Sequence, residues 1–366
     1  MSDTRTSGPK HLRRAWWRNP WMAAIAVLAV LVGGGAIALV AVDGPTHTDG
    51  PHASPPATAA GPSGPACPLS GTAAPGGAVP DRPALAIKVD NYPTARPQAG
   101  LDRADIVFEE PVEGGITRLV AVFQCKGAPL VGPIRSARQP DLGILDQLSK
   151  PLFVHAGGID PVLALLRSGN LYDENVFVHA SIIQHPPGRY APYDTYVSTT
   201  DAWGLQPKDT SPPAPLFSYS TTPPAGTPVA SVHIPFSQTS DVTWTWAAAS
   251  NDWVLSYSGV RATVASGTPI AVANVVVMTV HVTNGPWLEN DMGGLEVQVD
   301  ATSGGPVQVL RNGEVISGRW SRASLLDPTQ LLDPNGAPIP LAPGETWVEL
   351  VPVGIPVTTA APAPST

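Results

Sequence analysis

Ala84-Leu-Ala-Ile-Lys-Val-Asp-Asn91, Ala104-Asp-Ile-Val-Phe-Glu-Glu-Pro-Val-Glu-Gly-Gly-Ile-Thr-Arg118, Gly132-Pro-Ile-Arg-Ser-Ala-Arg138 and Leu152-Phe-Val-His-Ala-Gly-Gly158 form the stretch on which the reading of the fold turns. Each block is an apolar run of strand length that ends in charged residues or glycines, which is how a buried sheet hands side chains to a site at its edge.

Working outward, strands are expected at residues 83–90, 106–112, 118–124, 152–154 and 176–179, with Glu113-Gly114-Gly115 turning the second into the third as a hairpin. Ser136 is placed to cap a helix running to about residue 150, with Leu142, Leu145 and Leu148 on its inner face. Asp160-Pro161 opens a second, shorter helix. Strands alternating with helices predict an α/β domain over residues 81–208. A Pro-rich linker over 209–230 follows, and residues 231–352 then change to Val, Thr, Trp and Tyr with closely spaced turns, the pattern of a β-rich domain. Within it Asn312-Gly313, between two apolar runs, specifies a type I′ hairpin, and residues 271–282 read as a central strand or strand pair. Residues 353–366 are expected to be a disordered tail.

The chain has 366 residues and a formal net charge of −8, with no basic cluster beyond its first twenty residues, which argues against a nucleic-acid partner. Residues 21–42 carry no charge and are long enough to cross a bilayer, while Lys10, Arg13, Arg14 and Arg18 precede them. This predicts a cytoplasmic tail (1–20), a single transmembrane helix (21–42) as the contact with the cell membrane, and everything after it extracytoplasmic. A cleaved signal peptide is the rival reading, given the small residues at 36–41, but its apolar region would be unusually long. Residues 43–80 are mostly Pro, Gly, Ala, Thr and Ser and read as a linker, which at ~3.1 Å per residue would reach on the order of 100 Å. Cys67 and Cys125 are the only cysteines, and two cysteines in an exported chain most simply form one disulfide.

Lys88-Val-Asp-Asn91, Ala95-Arg-Pro-Gln98, Glu113-Gly-Gly-Ile-Thr-Arg118, Gly132-Pro-Ile-Arg-Ser-Ala-Arg138 and His155-Ala-Gly-Gly158 together resemble the YerB-like family of bacterial extracytoplasmic proteins, which are often lipoproteins. Val307-Gln-Val-Leu-Arg-Asn-Gly-Glu-Val-Ile-Ser-Gly-Arg-Trp320 and Pro343-Gly-Glu-Thr-Trp347 extend the likeness through the second half, so that it spans roughly residues 67 to 352. The resemblance implies an extracytoplasmic protein and no particular reaction, because the family has no established biochemical function. Relatives are often tethered through a cysteine directly after the apolar segment, whereas here none occurs between Val42 and Cys67, so anchoring falls to the helix.

Candidate chemistry concentrates in the same blocks. Arg135, Ser136 and Arg138 stand where a helix is expected to begin, and with Asp90, Arg118, His155, Gly157, Gly158 and Arg189 they form the expected ligand-binding set for an anionic cell-envelope ligand or polymer. The competing expectation is that Glu109, Glu113 or Asp90 neutralises the arginines internally. A glycan-directed envelope hydrolase is the alternative, with Glu109, Glu113 and His155 as catalytic candidates. In a regular strand, however, Glu109 and Glu113 would lie ~13 Å apart at ~3.3 Å per residue, beyond the ~5 to 9.5 Å of paired glycosidase carboxylates. The histidines show no metal-ligand spacing, so neither a metal nor another cofactor is expected.

Overall fold

The computed structural model describes residues 64–363 apart from 209 and 290–292. The expected cytoplasmic tail, membrane helix and linker up to residue 63 lie outside the described residues. Among the described residues no helix is long and apolar enough to cross a membrane.

The first half contributes strands β1 (Leu85–Asp90), β2 (Ile106–Pro111), β3 (Thr117–Phe123), β4 (Leu152–His155) and β5 (Tyr172–Asn175). They lie in the order β2-β3-β1-β4-β5, antiparallel through the first three and parallel from β1 to β5. The sheet does not stop at β2. The strand Thr346–Pro352 pairs parallel with it, setting Thr346 opposite Ile106 and Glu349 opposite Glu109. Asn274–Val280, Gly304–Arg311, Glu314–Ser321 and Gln330–Leu332 continue outward from there. The two halves that the sequence presents as separate domains therefore share one 11-stranded sheet. The physical reason lies in β2, which is buried on both faces, so an unpaired edge there would strand its N–H and C=O groups in the core.

Alternation along the strands sorts the two cores. In β3, Leu119, Ala121 and Phe123 face one side while Val120 and Val122 face the other, and all are fully buried. A six-stranded antiparallel sheet covers the first side, and Trp244, Trp253 and Leu255 from its strands Asp241–Ala247 and Asp252–Tyr257 fill the gap. The second side carries helices α1 (Pro140–Leu145) and α2 (Asp160–Ser168), through Ile144, Leu145, Val162 and Leu166. A strand-rich body with few helices results, layered sheet on sheet with the helices outside.

The structure departs from the sequence reading at several places. Ser136 caps nothing, and the helix begins at Pro140. Its neighbours are drawn out between β1 and β4, with Arg135 N–H donating to Lys88 O and Ala137 N–H to Gly157 O, so sheet-like pairing claims backbone that apolar spacing had assigned to a helix. The strand expected at 176–179 is displaced to β5, a polar edge paired only to β4; Asn175 Oδ1 then accepts Phe177 N–H at 3.1 Å and turns the chain. Three spans expected to be loose are held. In the linker 43–80, Leu69 is fully buried and Cys67 is bonded to Cys125. In 209–230, Leu216 and Phe217 are buried and Thr227–Pro228 pairs with Glu314 and Val315. In the tail 353–366, Thr358–Ala360 pairs with Ser231, Val232 and His233. A few anchoring contacts suffice in each case, and a Pro-rich composition hides them. The hairpin at Asn312-Gly313 is as expected, both residues having positive φ (53° and 76°) between Arg311 and its partner Glu314.

Candidate functional site

The charged ends of β1, β2 and β3 divide between the two faces of the sheet because side chains alternate. On the helix side, Lys88 Nζ is fully buried and shared between Glu110 Oε1 and Asp141 Oδ1, the latter at 2.7 Å. Arg138 forks onto Glu113, with Nε 2.8 Å from Oε2, and its backbone N–H donates to Asp141 Oδ2 at 2.7 Å. Arg118 donates to Ser136 O at 2.9 Å and stands 3.7 Å from Glu113. Arg135 pairs with Asp90 at 2.6 Å, and Ser136 Oγ donates to Ala156 O at 3.1 Å. The expected anion-binding residues Asp90, Arg118, Arg135, Ser136 and Arg138 are thus brought together, each with a partner inside the protein.

Their electrostatics follow from burial and pairing. Burial pushes the Glu113 carboxyl up, but hydrogen bonds and charge from Arg138, helped by Arg118, outweigh it and hold the pKa at about 2. Burial, with Arg138 alongside, lowers Arg118 to about 10. Burial and the neighbouring Asp141 raise Glu110 to about 8 against the pull of Lys88.

Two acids that the sequence reading missed close this cluster. Glu289 follows the strand Val282–Leu288 and lies 3.2 Å from Arg138, while Glu296, on the paired strand Leu295–Val299, is wholly buried. Neither belongs to a motif, so no local signal marks it. Burial, and then the Glu289 charge, raise Glu296 to about 7. A carboxyl whose folded pKa is raised costs stability as pH climbs from its unfolded value through the folded one. Glu296→Gln should therefore raise the melting temperature at pH 8 and leave it nearly unchanged at pH 5, which thermal melts at the two pH values will show.

The remaining predicted residues take bracing positions. His155 Nδ1 lies 2.9 Å from Gly157 O and Nε2 lies 2.6 Å from Asp173 Oδ1, with the ring stacked on Phe153. Both ring nitrogens face acceptors, so neither is free to take a proton from a substrate. Gly157, at φ 75°, makes the turn that brings its own carbonyl back to that ring. Arg189 donates to Ala95 O at 3.2 Å and to Pro97 O, fastening the loop that leaves β1. Among the described residues no group of three or more His, Cys, Asp or Glu side chains is placed to hold a metal ion.

On the other face Glu109 is wholly buried, with Oε1 accepting from Asn91 Nδ2 at 2.9 Å and Thr117 Oγ1 at 2.7 Å, and Oε2 from Tyr257 OH at 2.9 Å. Glu109 and Glu113 are therefore separated by the sheet and share no cleft. Beside Glu109, Glu349 accepts from Trp244 Nε1 at 2.7 Å, and burial raises the pKa of both acids. The Tyr257 ring carries the Arg96 guanidinium 3.6 Å from its centroid, and Arg96 Nε donates to Asn91 Oδ1 at 3.0 Å. Beyond this pair opens a cavity of about 470 Å³, walled by Arg96, Gln98, Gln238, Thr239, Tyr257 and Arg261 among others, with no acidic residue in its lining. The loop after β1 and a loop and a strand hairpin of the second half form it. Arg96 lies in the Ala95-Arg-Pro-Gln98 block, but nothing local joins it to Arg261, so the sequence reading did not assemble this site.

Comparison with known proteins agrees with the two-part architecture. The profile described as protein of unknown function (DUF3048) N-terminal domain matches residues 69–211, and the corresponding C-terminal domain profile matches 232–348. YerB of Bacillus subtilis (strain 168), named as a candidate lipoprotein, is 30% identical over 288 residues, covering 75% of this chain and 82% of that protein. The crystal structure of the YerB protein from Bacillus subtilis matches with a TM-score of 0.68 at 26% identity, covering 80% of this chain and 99% of that one. With both domain profiles in order and this relative matched over most of its length, the chain belongs to the YerB-like (DUF3048) family of proteins of unknown function.

Proposed function

We propose that this chain is a membrane-anchored, extracytoplasmic binding protein that takes an anionic cell-envelope ligand into the cavity between residues 93–98 and 257–263. The observation that carries this reading is the cavity lining, which brings together two arginines and several amide and hydroxyl groups with no acid among the described lining residues. Placement outside the cell is supported by the uncharged residues 21–42 behind a basic tail, by the disulfide and by the lipoprotein name of the relative. Arg135 and Arg138 are weaker anchors for the ligand, since Asp90 and Glu113 already hold them. Hydrolysis has less support than binding, because Glu109 and Glu113 lie on opposite faces and both His155 nitrogens are engaged.

The test is titration calorimetry of the extracytoplasmic part with an oligo(glycerol phosphate) and with an oligogalacturonate, which carry phosphodiester and carboxylate charge respectively. Arg261→Ala should weaken binding of the preferred probe by roughly tenfold, the low end expected for loss of one charge-assisted contact at an exposed side chain. Its melting temperature should not move. Unchanged affinity in this variant would remove the cavity as the ligand site.

A further inference from the structure

Resting on that cavity as an oxyanion site, we infer that buried Glu109 and Glu349 act behind it as a proton-holding support for Arg96, so that binding an oxyanion draws a proton into the protein. The geometry gives the route. Among the described residues Arg96 forms no ion pair, and it reaches Glu109 through two intermediaries. Asn91 accepts from Arg96 Nε at 3.0 Å and donates to Glu109 at 2.9 Å. Tyr257 carries the guanidinium on its ring and donates its hydroxyl to Glu109 at 2.9 Å.

Glu349 stands opposite Glu109 in the parallel register of β2 and Thr346–Pro352, and its Oε2 is buried without a hydrogen-bond partner among the described residues. The groups facing the two acids are Asn91 and Thr117 from the first half, Tyr257 and Trp244 from the opposing sheet, Trp347 from the neighbouring strand, and Arg96. Among them Arg96 is the cation that acts on Glu109, and Glu109 is in turn the charge that acts on Glu349. Two carboxyls side by side at zero exposure cannot both ionise against one half-buried guanidinium, so the pair with one proton is the balanced state. An oxyanion on Arg96 cancels the positive charge that favours the remaining carboxylate. That carboxylate then takes up a proton from solvent, and no bond other than this O–H is made.

Affinity should consequently rise as pH falls from 8 to 5.5 for probes that do not titrate in that range, and both the phosphodiester and the galacturonate oligomers satisfy this. Calorimetry in buffers of different ionisation heat should register net proton uptake on binding. Glu109→Gln keeps the shape and removes the charge. It should bind roughly tenfold more tightly than the parent at pH 8, with a flattened pH profile, by the Coulomb energy of one charge at this range in a protein-like dielectric. If that variant does not fold, Glu349→Gln leaves Glu109 as a lone carboxylate without the neighbouring acid that favours its protonation, and should diminish the proton uptake on binding. No proton uptake, or a folded Glu109→Gln protein that binds equally or more weakly, overturns the inference while leaving the cavity assignment intact. Loss of the Arg261→Ala effect overturns the site itself.

Discussion

Arg138→Ala should lower the melting temperature by many degrees at neutral pH, with a loss of about 3–5 kcal/mol in folding free energy, the range for breaking a buried ion pair from one side. The guanidinium is 6% exposed and forks onto Glu113, which is 9% exposed, while Glu289 leans on the same group. Truncation leaves Glu113 ionised in a desolvated site with Arg118, 3.7 Å away, as its remaining cation among the described residues. Arg135→Ala is the control. Its side chain is 28% exposed, so its pairing with Asp90, itself 2% exposed, is reached by solvent from the arginine side and its loss should cost less than the Arg138 change. Replacing Arg138 and Glu113 together by Met and Leu should recover only part of the stability, because Glu113 is no longer stranded but Arg118 and Glu289 each lose a partner.

The same pair fixes an acid limit. Glu113 is depressed to about 2 in the folded protein, so its stabilisation is complete above its ordinary carboxyl range and is lost as pH falls from about 4.5 toward 2. Urea melts across that interval should show the parent losing stability more steeply than Arg138→Ala. Equal slopes would mean that Glu113 does not owe its low pKa to Arg138.

Opening the disulfide should have an effect of similar size. Cys67 and Cys125 are 58 residues apart, and closing a loop of that length stabilises by about 4 kcal/mol in the chain-entropy account. Both sulfurs are buried, so Cys67→Ala with Cys125→Ala is the appropriate change. The double variant should melt well below the oxidised parent and become indifferent to reductant, and the segment around Leu69 should become the first point of proteolysis. Peptide mapping of exported protein that finds both thiols free would dispose of the bond and of this prediction.

Local pattern was enough for β1 to β4, for the Asp160–Ser168 helix and for the hairpin at Asn312-Gly313, because apolar alternation, a proline at a first helical turn and residues tolerant of positive φ act through their own neighbours. Tertiary structure alone decided the rest. The strand Thr346–Pro352 enters beside β2 from more than two hundred residues away in sequence and sets Glu349 against Glu109. The pleat sends Glu109 to one face while Glu110 and Glu113 serve the other. Arg96 and Arg261 line one cavity only because the loop after β1 and the hairpin of Tyr257 and Val260–Arg261 come together from the two halves. Which strand pairs with which, and hence which face a charge occupies, depends on contacts between distant segments competing for one core; no window of local residues contains that competition.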